Sequence, residues 1–109
     1  MTDSTLPSHI GNKVTTTDKD KVEWHSEIVD EIVRIQSNAP HIALCLQLLK
    51  PARLDDPIEV RFCYYYAKDE GGWGFARNPP MMPPSDFFAI VDEAIKKSWD
   101  RIKLDNTSN

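Results

Sequence analysis

His41-Ile-Ala-Leu-Cys-Leu-Gln-Leu-Leu49 and Ile58-Glu-Val-Arg-Phe-Cys-Tyr-Tyr-Tyr66 decide how this chain is read. Both stretches alternate with period two, the spacing of a strand whose successive side chains point to opposite faces. Ile42, Leu44, Leu46 and Leu48 fall on one face of the first strand, and Ile58, Val60, Phe62, Tyr64 and Tyr66 on one face of the second. Antiparallel pairing of residues whose numbers sum to 108 sets all of these on the same side, so the hydrophobic pattern itself proposes the register. The connection Lys50–Pro57 holds Pro51 and Pro57, which fit a loop between strands.

Upstream, the spacing of Val22, Trp24, Ile28, Val29, Ile32, Val33 and Ile35 fits an amphipathic helix from Thr17 or Asp18 to about Gln36. Its outer side would carry Asp20, Glu23, Glu27, Asp30, Glu31 and Arg34, and Ser37-Asn-Ala-Pro40 would end it. Downstream, Asp69-Glu-Gly-Gly72 reads as a turn into a short third strand, Trp73–Arg77. A four-residue loop there would set Trp73 and Phe75 on the core face with Tyr64 and Tyr66. The proline-rich crossover Asn78–Pro84 then leads to a helix capped by Ser85 and running to about Ile102, with Phe87, Phe88, Val91, Ala94, Ile95, Trp99 and Ile102 as its apolar stripe.

The fold expected is therefore α+β: a two-layer domain of helix, three-stranded antiparallel β-meander and helix, with both helices on one face of the sheet. Residues 1–16 read as a flexible amino-terminal tail, 17–103 as a single domain and 104–109 as a frayed end. A length of 109 residues suits one domain able to bury its own core. Apolar residues at 40% and charged residues at 28% suit a globular chain. A net charge of −4 argues against nucleic acid as a partner, because phosphate binding needs an excess of Lys and Arg. With no signal-like start, no apolar run long enough for a bilayer and only two cysteines, a cytoplasmic, membrane-free protein is expected.

Under this fold the second sheet face has no element to cover it except the amino-terminal tail, residues 1–16. It would present Ala43, Cys45, Gln47, Arg61, Cys63 and Tyr65, a surface of small residues around one tyrosine that invites another protein. The acidic helix face, with Glu23, Glu27, Asp30 and Glu31, is a second candidate, because residues 18–38 carry most of the excess negative charge. Cys45 and Cys63 fall opposite each other in the register, yet two thiols do not make a zinc site, and reduced small residues explain them. No metal or cofactor is expected. His25 reads as a core histidine of the helix, and Glu59 with Arg61 as a surface ion pair. No catalytic residue is identified, because no nucleophile is placed beside a base.

These features support a small non-catalytic interaction module, of the adaptor, inhibitor or immunity type, that docks another protein or a second copy of itself as a homodimer. Two alternatives remain open. The expected element order resembles that of the double-stranded RNA-binding domain, which implies RNA or DNA as ligand, but Asp86 stands where that family carries lysines. A small enzyme or ligand carrier would use Cys45 or Cys63 with Tyr65, Glu59 and Arg61.

Overall fold

The computed structural model describes residues 6–53 and 55–102. Its sheet is built from β1 (Lys13–Thr17), β2 (Glu23–Gln36), β3 (Ala39–Pro51), β4 (Glu59–Ala67) and β5 (Trp73–Ala76), followed by α1 (Pro84–Lys96) and a 3₁₀ turn, Trp99–Arg101. The strands lie in chain order, each antiparallel to the next. Between β3 and β4 the register is the one the alternation proposes, with Leu44 opposite Tyr64, Cys45 opposite Cys63 and Leu46 opposite Phe62.

Helix and sheet are both present, but the architecture of two helices and three strands is not. The segment read as the first helix is β2, the longest strand of the sheet. Two physical facts overturn the helix. Val22, Ile28, Val29, Ile32, Val33 and Ile35 are β-branched, which favours the pleated conformation over the helical one. The apparent helical period comes from a β-bulge, because the register with β3 shifts between Ile28, opposite Leu49, and Asp30, opposite Leu48. Val29 is the extra residue. Before it the even-numbered side chains share the face of Leu49, and after it the odd-numbered ones do. One strand thus shows apolar residues in both phases, which a fixed 100° step mistakes for a wide helical stripe. Ser37-Asn38 is the hairpin turn into β3 rather than a helix stop.

The main core lies between α1 and one sheet face. Ile32, Leu44, Leu46 and Leu48 meet Ile90, Ala94 and Trp99, with Met82, Phe62 and Tyr64 at the margin. The helix is rotated from its expected stripe: Ile90 and Ala94 are buried, whereas Phe88 is 65% exposed and Ile95 lies outside. It also stops earlier, because Ser98 takes a left-handed backbone (φ 62°) before the 3₁₀ turn. Asp92 and Lys96, four residues apart, make an ion pair at 3.1 Å, while Lys97 reaches across to Asp30 at 3.3 Å. Asp86 is fully buried and holds the start of the helix to the β2–β3 corner: Arg34 Nε donates to it at 2.6 Å, and the Ser37 N–H and hydroxyl donate at 3.0 and 2.9 Å. A helix of this length runs about 20 Å against the roughly 46 Å of β2, so it cannot cover the whole sheet.

β5 joins in the other parity. Tyr65 faces Phe75 and Ala67 faces Trp73, so both rings leave the main core face. The cause is the turn: Lys68 N–H bonds the Gly72 carbonyl, which leaves a three-residue loop whose Gly71, like Gly72 beside it, takes positive φ. At Gly74 a Cβ would run into the Tyr66 ring lying across it, so glycine is what lets the ring close over the strand. Part of the stretch read as a tail also belongs to the fold. Residues 13–17 form β1, and Val14 packs with Ile28 and Leu49. Residues 1–5 and 103–109, including the end expected to fray, lie outside the described residues.

Candidate functional site

The face away from α1 is built from three registered rows. Glu31, Gln47 and Arg61 make one, Val33, Cys45 and Cys63 the next, and Ile35, Ala43, Tyr65 and Phe75 the third. Lys13, Val14 and Thr15 of β1 line the same cleft as Arg61, Tyr65 and Phe75 of β4 and β5. The sheet therefore curls towards this face, in the direction that the bulge at Val29 allows.

The face is open along β2, where Val33 and Ile35 are exposed, but covered at its centre. Residues 6–12 run back over it as a strap. Leu6 packs on Cys45, Cys63 and Tyr65. The His9 N–H donates to Glu31 Oε1 at 3.1 Å, the ring Nδ1 lies 2.9 Å from Glu31 Oε2, and the ring stacks on Tyr65 with centroids 4.4 Å apart. Gly11 and Asn12 then pair with the backbone of Ile28, which leads the chain into β1. Ala43, Cys45 and Gln47 are fully buried, and Cys63 and Tyr65 nearly so. The expected bare docking surface over these residues is thus replaced by a covered one. A strap of the chain's own residues removes the apolar area from water at no cost in association entropy.

Beneath the strap lies a satisfied polar chain. Gln47 Nε2 donates to Glu31 Oε2 at 2.7 Å, and Gln47 Oε1 accepts from Arg61 Nε at 3.0 Å and Nη2 at 2.7 Å. The neutral amide of Gln47 spaces a buried carboxylate from a guanidinium, each of which uses one end of it. No buried side-chain nitrogen or oxygen among the described residues lacks a partner. Burial pushes the Tyr65 hydroxyl above its ordinary range. The two thiols split. The neighbouring Cys63 sulfur, then burial, pushes Cys45 up, while the Cys45 sulfur opposite it, with the nearby Arg61 charge, lowers Cys63.

Arg61 and Phe75 form the accessible rim. The guanidinium lies over the Phe75 ring, 5.1 Å from its centroid, and the ring meets Tyr65 edge-on at 5.3 Å. Arg61 is half-buried and makes no ion pair among the described residues, so the expected pairing with Glu59 is not formed. The cleft beside it has a volume of about 270 Å³. That is below the roughly 300–1,000 Å³ of sites that enclose a small-molecule ligand, and it suits one inserted side chain.

The four acids of the expected acidic helix are dispersed by the strand. Glu23 and Glu27 lie on the α1 side of the sheet at its far end, near His25 (3.4 Å) and Lys13 (3.3 Å). Asp30 Oδ2 accepts from Trp99 Nε1 at 3.1 Å. Burial works against its ionisation, but the Glu31 N–H, Trp99 and Lys97 outweigh it and lower its pKa. Glu31 points the other way, into the strapped face. His25 is exposed and hydrogen-bonded to Thr15, not a core residue.

Chemically the site offers binding groups: a guanidinium, a buried amide and an aromatic ring. Among the described residues no group of three or more His, Cys, Asp and Glu converges on a metal position, and the Thr15 hydroxyl, 3.1 Å from His25 Nδ1, lies on the other face of the sheet. No described helix is long and apolar enough to cross a membrane. Comparison with known proteins finds no matching family model, no matching curated protein and no matching solved structure.

Proposed function

We propose that the protein is a small non-catalytic interaction module, and that it docks a protein partner at the rim of the strapped face through Arg61 and Phe75. One observation carries this: a half-buried arginine, held rigid by Gln47 and Phe75, turns to the cleft with no acid among the described residues paired to it. Arginine and aromatic side chains are the usual anchors of protein interfaces, and a pre-positioned guanidinium accepts a carboxylate with little ordering cost. The chemistry it fits is a Glu or Asp side chain on an extended segment, with an apolar neighbour to meet Phe75, which is 44% exposed. The RNA-binding alternative loses its basis with the first helix, and the small cleft favours a protein side chain over a free ligand.

The test is a titration of isotopically labelled protein with a capped Glu-Val-Glu-Val-Glu peptide, followed by amide chemical shifts, with Lys-Val-Lys-Val-Lys as the control. Saturable shifts centred on Arg61 and Phe75, absent for the basic peptide and abolished by Arg61→Met, are the expected result. No shift at millimolar peptide, or equal shifts from the basic peptide, would contradict the role of Arg61.

A further inference from the structure

β5 is short. It pairs only with Tyr64–Ala67, so Glu59–Cys63 of β4 has β3 on one side and no strand on the other among the described residues. Beside this free edge the α1 side is apolar. Val60 is 55% exposed, and Phe62 stacks on Phe87 at 6.1 Å with Phe88 against it. Glu59 and Arg61 alternate with these residues and point to the strapped face. A free edge with an apolar flank is a template for strand addition.

We propose that the occupant of this edge is a second copy of the chain, whose β4 pairs antiparallel with β4 about a two-fold axis at Val60. Charge complementarity selects the copy and the register together. A two-fold pairing that keeps both sheets facing the same way needs residue numbers with an even sum. A sum of 118 sets Glu59 against Glu59, and a sum of 122 sets Arg61 against Arg61. A sum of 124 needs Tyr64, whose outer side β5 already covers. Only 120 remains. It sets Glu59 opposite Arg61 twice, Ile58 opposite Phe62 twice, and Val60 on the axis. Opposite charges directly across a pair stabilise it and like charges oppose it. The apolar strips that include Phe87 and Phe88 then meet over the joined sheet. This pairing rests on the acid-docking role of Arg61 proposed above, and it names the acid as Glu59 of the second copy.

Sedimentation equilibrium up to about 1 mM, the weak limit of specific association, tests it. Wild type is expected to dimerise. Glu59→Arg, an exposed change that sets Arg against Arg61, is expected to raise the dissociation constant about tenfold or more, and the double swap Glu59→Arg with Arg61→Glu to restore it. Val60→Cys gives a readout that does not depend on Arg61. Its two copies lie about 5 Å apart across the axis, within reach of a disulfide, so oxidation should give a covalent dimer without using the buried Cys45 and Cys63. Should the swapped protein fail a folding check by circular dichroism, the Glu59→Arg and Val60→Cys arms decide. A wild type that stays monomeric, or a Glu59→Arg variant that dimerises equally well, would overturn the pairing. If the acidic peptide still shifts Arg61 in that monomer, acid docking stands and only the second copy is wrong. If neither occurs, both proposals fall.

Discussion

Asp86 ties the one helix to the sheet. The Arg34 guanidinium, then the Ser37 N–H, hold its carboxyl below the usual value of 3.8, although burial pulls the other way. A carboxylate favoured more by the folded chain than by the unfolded one adds stability that is complete above the ordinary carboxylate value. That stability is lost as pH falls through the depressed folded value. Asp86→Asn is therefore expected to unfold at lower urea than wild type at neutral pH, with the gap constant down to about pH 5 and closing below about pH 4. Urea melts across that range check it, and a gap independent of pH down to acid unfolding would deny the charge a role. Nothing in the sequence marked this residue as a tie between helix and sheet. Asp86 lies in the first turn of a helix, where an acid needs no partner to be explained, and its partners are 49 and 52 residues away.

Among the elements, β3 and β4 were legible because their alternation is unbroken and the pairing that sums to 108 sets the apolar side chains of both strands on one face. β2 was not. The bulge at Val29 changes the phase of the alternation in mid-strand, and a reader who assumes one phase finds a helix instead. The β-branched run was the available signal, and it outweighs periodicity when both are present. Since the bulge fixes which face each half of β2 serves, deleting Val29 should turn Ile28 and Trp24 to the opposite face and set the β1–β2 end out of phase with its neighbours. Amide exchange should then lose protection throughout β1 and the first half of β2, while β3 and β4 keep theirs. Uniform protection in the deletion variant would show that the bulge is incidental. β5 teaches a related lesson, because a turn shorter by one residue than its glycines suggested reversed Trp73 and Phe75.

For the whole molecule, the residues of the candidate face were legible and its exposure was not. Ala43, Cys45, Gln47, Cys63 and Tyr65 do share one side, as alternation requires, but the strap that covers them has no period. Its anchor, His9 on Glu31, spans 22 residues of sequence. What reaches solvent is Arg61 and Phe75 on one side and Val33 and Ile35 of β2 on the other. The central claim is that the chain itself covers the middle of this face, over Cys45, Gln47 and Cys63. Thiol reactivity tests that most directly, since Cys45 and Cys63 lie under Leu6. In the intact native protein both thiols should react with a disulfide reagent far more slowly than in the unfolded chain. With Leu6→Ala and His9→Ala combined, Cys63, the thiol of lowered pKa, should become reactive before Cys45. Rapid reaction of both cysteines in the intact, folded protein would contradict the account.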